Sequence, residues 1–118
     1  MERIRIVVAS VPRMLGEILQ HAIGQSLDMA TVATLTGDED PRPAVVRLQP
    51  HVVVLGETRD PQEVVVTALL RTLPSMSVVA LSASGHRAVV YRSDESPVTL
   101  DDASPQDLLD TLRLLART

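Results

Sequence analysis

Residues able to do chemistry are few in this 118-residue chain, and they are scattered. His21, His51 and His86 are the only candidates for general-base or imidazole–metal work. His21 falls among apolar residues of a helical stretch, His51 precedes a short apolar run, and His86 sits in a turn. Three histidines on three separate elements do not make a shared site. The best hydrolytic constellation is Ser10, Ser82, Ser84 and His86, which could converge where strands end. No acid is placed to orient His86, however, and there is no Gly-x-Ser-x-Gly elbow. Ala9-Ser10-Val11-Pro12 also lacks the glycines of a dinucleotide cradle. Asp38-Glu39-Asp40 reads as a solvated loop whose charge favours the next helix N-terminus. The competing reading, a divalent-metal site, lacks a partner carboxylate. The expectation is a chain that is not an enzyme and holds neither metal nor cofactor.

Composition removes further classes. There is no cysteine, so disulfides, thiolate catalysis and thiolate metal sites are excluded. All 11 basic residues are arginine, which excludes lysine-dependent chemistry. Tyr91 is the only aromatic residue, too little for base stacking or an aromatic cage. A net charge of −4 disfavours nucleic acid as a partner. No apolar run approaches the roughly 18 to 20 residues of a membrane span. The start of the chain runs directly into a strand without a signal-peptide apolar region, so a cytoplasmic protein is expected. The length suits a single domain over residues 1–118 with one core.

The elements that must position these residues are readable. Val52-Val53-Val54-Leu55 is short, apolar and mostly β-branched, as a strand buried on both faces should be. It follows Pro50-His51 and ends at Gly56. Residues 3–9 predict a first strand, 29–35 a second nearer an edge, and 77–82 a fourth. Met14, Leu15, Ile18, Leu19, Ala22 and Ile23 predict an apolar helical stripe capped by Ser10, with Pro12 in its first turn. Asp40-Pro41-Arg42-Pro43 opens a short helix. Asp60-Pro61-Gln62-Glu63 predicts a capped helix start with Val64, Val65, Ala68, Leu69 and Leu73 buried. Beyond residue 82 the alternation breaks. Residues 87–92 and 97–100 form two short β-like runs joined by Ser93-Asp94-Glu95-Ser96, a hairpin whose first strand pairs antiparallel with the fourth. Ser104-Pro105-Gln106-Asp107 starts the last helix, with Leu108, Leu109, Leu112 and Leu115 facing inward.

This pattern resembles the receiver domain of bacterial two-component response regulators. The resemblance rests on Arg3-Ile4-Arg5-Ile6-Val7-Val8-Ala9, the proline at the first helix, Pro50-His51-Val52-Val53-Val54-Leu55, and Leu73-Pro74. Val78-Val79-Ala80-Leu81-Ser82 and the Ser104-Pro105-Gln106-Asp107-Leu108-Leu109 helix carry it further. It implies an α/β, flavodoxin-like three-layer sandwich, with a central parallel sheet, helices on both faces and the fourth helix replaced by the hairpin. Receivers accept phosphate on an aspartate ending the third strand, beside two acids that hold Mg²⁺. A hydroxyl ends the fourth strand and a lysine the fifth. Here the acceptor position is Gly56, the acid pair reads Ser10-Val11, and no lysine exists. Only Ser82 matches. Glu57 is one residue late, and on a strand that offset points it to the opposite face. The resemblance is therefore to a degenerate pseudo-receiver.

Two functional expectations follow. The first is a phosphorylation-independent interaction module for a protein partner or a second copy, with Val89, Tyr91, Val98 and Leu100 of the hairpin as interface residues. The second is a small-molecule sensor whose emptied crevice is lined by Ser10, Gly56, Glu57 and Ser82.

Overall fold

The structure is a computed structural model that describes residues 3–58 and 60–116. Strands β1 (Ile4–Ala9), β2 (Met29–Leu35), β3 (Val52–Leu55), β4 (Ser77–Leu81), β5 (Arg87–Arg92) and β6 (Val98–Asp101) form one sheet in the order β2-β1-β3-β4-β5-β6. The first four strands are mutually parallel. β5 runs antiparallel to β4, and β6 antiparallel to β5, so the hairpin lies where the sequence places it. β2, with its alternating threonines, is an edge strand. Helices α1 (Arg13–Gly24), α2 (Arg42–Leu48), α3 (Gln62–Thr72) and α4 (Pro105–Ala116) complete the fold.

The two faces of the sheet carry separate cores, as strand periodicity requires. Ile6, Val8, Val52, Val54, Val79 and Leu81 meet Leu19 and Ile23 of α1 and Leu108, Leu109 and Leu112 of α4. Val7, Ala9, Val53, Leu55 and Val78 meet Ala44 and Val45 of α2 and Val66 and Leu69 of α3. All four residues of β3 are buried because helices cover both sides of it. Ala9 is level with Leu55, and Leu55 with Ala80, so β1, β3 and β4 end together at one rim.

Four expectations are corrected. Ser10 does not cap α1, nor Asp60 α3: Pro12 and Pro61 occupy the cap positions without any side-chain bond. Proline supplies the extended backbone a cap position wants, which displaces the polar residue outward. Met14 and Ile18, placed in the buried stripe, are 76% and 46% exposed. The apolar arc of α1 is wider than the sheet it covers. On α3, Val64 is 60% exposed and Val66, absent from the predicted stripe, is buried. α3 starts at Gln62, one residue later than a cap at Asp60 implies, and its inward face is centred on Val66 and Leu69.

The predicted cap of α4 does form, as a reciprocal box. The Asp107 N–H donates to Ser104 Oγ at 3.1 Å, and the Ser104 N–H donates to Asp107 Oδ2 at 3.0 Å. That backbone donor lowers the Asp107 carboxyl below its ordinary value of 3.8. Asp40 is lowered as well, first by the Arg42 guanidinium and then by the Arg42 N–H, which it caps at the start of α2. A folded value below the unfolded one stabilises the native state above 3.8, and the contribution is lost as pH falls through the lowered value. Acid titration followed by circular dichroism should show helix loss steepening below about pH 4, with a shallower slope for Asp107→Asn.

Candidate functional site

Open α/β sheets keep their chemistry at the carboxyl ends of the strands, and here that rim is closed by the backbone itself. Ser10 leaves β1 with φ of 57°, a left-handed conformation uncommon for serine. Two bonds hold it there: its N–H donates to the Leu35 carbonyl at 3.0 Å, and its Oγ donates to the Gly37 carbonyl at 2.7 Å. The turn throws the chain across the end of β3. A Cβ at Gly56 would stand 2.1 Å from the Ser10 carbonyl oxygen and 2.8 Å from Val11 Cα. Real Cβ contacts are never so short, so position 56 excludes every side chain. Glycine is there for close approach rather than for a special φ.

Gln62, which the sequence marks only as part of a helix start, completes the closure. Its Nε2 donates at 3.0 Å both to the Gly56 carbonyl and to the Leu81 carbonyl, spanning the ends of β3 and β4. The signal was a long amide at the first position of a helix entered from that rim. Gln62→Leu removes both donors, and half-buried carbonyls left unpaired should lower stability by about 1–3 kcal/mol. Urea denaturation measures the loss.

The four expected crevice residues do not gather around one space. Gly56 is buried under the turn, and Glu57 is exposed. Ser82 Oγ lies 3.3 Å from Ser84 Oγ and accepts the Arg87 N–H at 3.2 Å, tying it into the β4–β5 turn. Of the four, Ser10 lines a cleft. That cleft, about 410 Å³, lies beside the rim between the loop after β2 and α3, with Asp38, Asp40, Arg42, Thr58, Asp60 and Val64 among its lining residues. Exposed Val64, which sequence periodicity sent inward, is part of its apolar wall. The Asp40 carboxylate is engaged by Arg42 at 2.8 Å, and among the described residues no three His, Cys, Asp or Glu groups converge as a metal site.

The histidines stay apart. His21 and His86 are exposed, whereas half-buried His51 accepts the Arg5 N–H on Nδ1 at 2.9 Å and donates its own N–H to the Arg5 carbonyl at 2.9 Å. His51 thereby extends the β1–β3 ladder at its amino end, a structural role.

The hairpin residues are divided between the two faces. Val89 and Tyr91 are half-buried, and Tyr91 packs against the α2/α3 core. Val98 lies opposite Val90, and Leu100 opposite buried Ala88, which puts both on the α1/α4 side. Val98 is 55% exposed.

No protein-family model matches the sequence, and no curated protein is similar to it by sequence. Solved structures are similar by shape. The response regulator domain of Thermotoga maritima CheB superposes with a TM-score of 0.69 at 15% identity, covering 99% of this chain and 98% of that one. The signal receiver domain of NarL from Mycobacterium tuberculosis superposes with a TM-score of 0.75 at 16% identity, with the same coverage of each chain. Among the described residues no helix is long and apolar enough to cross a membrane. The chain is a receiver-like domain in fold.

Proposed function

We propose that this domain is a pseudo-receiver: a non-catalytic cytoplasmic module that signals through protein contacts and is not switched by phosphorylation. Gly56 carries the reading. An acceptor carboxylate has no space at the end of β3, because the Ser10–Val11 backbone occupies it. Phosphoryl transfer also needs a hard cation and a fixed positive group to neutralise the phosphoryl oxygens. The positions of the acid pair hold Ser10 and Val11, and the chain has no lysine. With α1 and α4 on one face and α2 and α3 on the other, the hairpin takes the place of a further helix and its flanking strand ends. That leaves a sheet edge for contact in a region receivers cover with a helix. Acetyl phosphate with Mg²⁺ should leave the intact mass unchanged, and a stable gain of one phosphoryl group would overturn the proposal.

A small-molecule reading draws support from one observation, the cleft beside α3, whose volume lies within the range of ligand pockets. A metabolite that raised the melting temperature of the wild type but not of Val64→Glu would favour it.

A further inference from the structure

We propose that the outer edge of β6 is a self-association site, at which two copies pair antiparallel about a twofold axis through Thr99. The proposal rests on the reading that this domain acts through protein contacts, and it names the partner. The phase of the hairpin ladder comes from one bond. The Ser82 N–H donates to the Arg87 carbonyl at 2.9 Å, continuing the β4–β5 register in which Leu81 faces Ala88. Antiparallel partners alternate between bonded and non-bonded pairs, so Arg87, Val89 and Tyr91 turn their backbone groups toward β4. Ala88 and Val90 then face β6, where they pair with Leu100 and Val98. Thr99 and Asp101 are left with N–H and C=O directed outward. Among the described residues no strand lies beyond β6.

The segment Pro97-Val98-Thr99-Leu100-Asp101 complements itself across that axis. Thr99 meets Thr99 of the second copy and exchanges two backbone hydrogen bonds with it, a cross-strand pair that sheets favour. The Asp101 N–H reaches the Pro97 carbonyl of the second copy, twice by symmetry. Pro97 has no N–H to leave unpaired. Val98, more than half exposed in one copy, falls opposite Leu100 of the other on the α1/α4 side, covering apolar surface from both.

Charge does not oppose the pairing. Asp101 is held by Arg87 at 3.1 Å within its own hairpin. Its symmetry mate is displaced by four residues, about 13 Å along the strands, beyond the screening length of physiological salt. Acidic or proline-blocked edges normally repel other sheets. Here the one acid within β6 is held by Arg87, and the proline lies at the end of the pairing, where its missing N–H costs one bond and leaves an Asp101 carbonyl to water. A foreign strand would need the same five-residue pattern, which the chain itself supplies.

The experiment is sedimentation and light scattering of the full chain from 10 to 500 µM, roughly the range expected for a short interface. The wild type should rise from 12.8 kDa toward twice that mass. Thr99→Pro removes only an outward N–H and should remain monomeric at every concentration with unchanged circular dichroism. Should that proline disturb the hairpin, Val98→Lys at an exposed position supplies the same readout, with the dimer lost and the fold kept. A wild type that stays monomeric overturns the proposal, as does a dimer that both variants preserve, or a monomer whose edge captures a different protein. None of these results bears on phosphoryl transfer, which the acetyl phosphate experiment tests separately.

Discussion

Gly56→Asp, which would put at position 56 the acid that the resemblance to receivers implies there, should unfold this protein rather than give it an acceptor. The added Cβ alone meets the Ser10 carbonyl oxygen at 2.1 Å and its carbon at 2.7 Å, both backbone atoms that cannot swing aside. Overpacking of this kind costs about 1–3 kcal/mol and more where backbone must shift. The carboxylate adds a second penalty. It would be forced toward a carbonyl oxygen in a buried position, without a cation, at a further cost of several kcal/mol. The sum, about 5 kcal/mol or more, is comparable to the whole stability of a typical domain. Gly56→Ala separates the two effects, since it carries the clash without the charge, and should lose about 3 kcal/mol. Urea melts of the three proteins measure the difference. An aspartate variant as stable as the wild type would show that the β1–α1 turn can lift away, and the crevice with it.

Leu112→Ala is expected to have the next largest effect. Leu112 is 1% exposed at the centre of α4, in the core shared with Leu108, Leu109 and strands β1, β3 and β4. Truncation removes transfer free energy and leaves a cavity that close-packed neighbours fill only in part, so a loss of about 2–5 kcal/mol is expected. Leu112→Met, which conserves volume, should cost under about 1.5 kcal/mol. α4 is tethered at its far end as well. Arg113 donates to Asp28 at 2.8 and 3.3 Å just before β2, and this pairing raises the guanidinium above its ordinary value. The alanine variant should therefore weaken the whole domain in one transition rather than release the helix alone. Coincident fluorescence-independent probes, far-UV circular dichroism and hydrogen exchange, check this.

Much of the architecture was legible in the chain because burial writes itself into period. Val52-Val53-Val54-Leu55 has no polar alternation, so both its faces must be covered, and its place in the middle of the sheet follows. Alternating threonines marked β2 as an edge, and the polar four-residue link between residues 92 and 97 marked the hairpin. Local rules were weaker at helix starts. Ser10-Val11-Pro12 and Asp60-Pro61 carry the composition of capped starts, yet proline took the cap in both. The choice between adjacent capping residues depends on where the preceding strand delivers the chain.

At the rim the division is sharper. Sequence by itself determined that positions 10, 11 and 56 carry no carboxylate and that the chain has no lysine or cysteine, since residue identity is enough for that. It could not decide whether the space beside Gly56 at the end of β3 is a cavity or is filled. Only the tertiary structure decided that, through the left-handed turn at Ser10, the carbonyl laid over Gly56 and the Gln62 amide bridging two strands. Such contacts join residues 46 and 19 positions apart, and their distances come from how strands and helices pack, which no local pattern encodes.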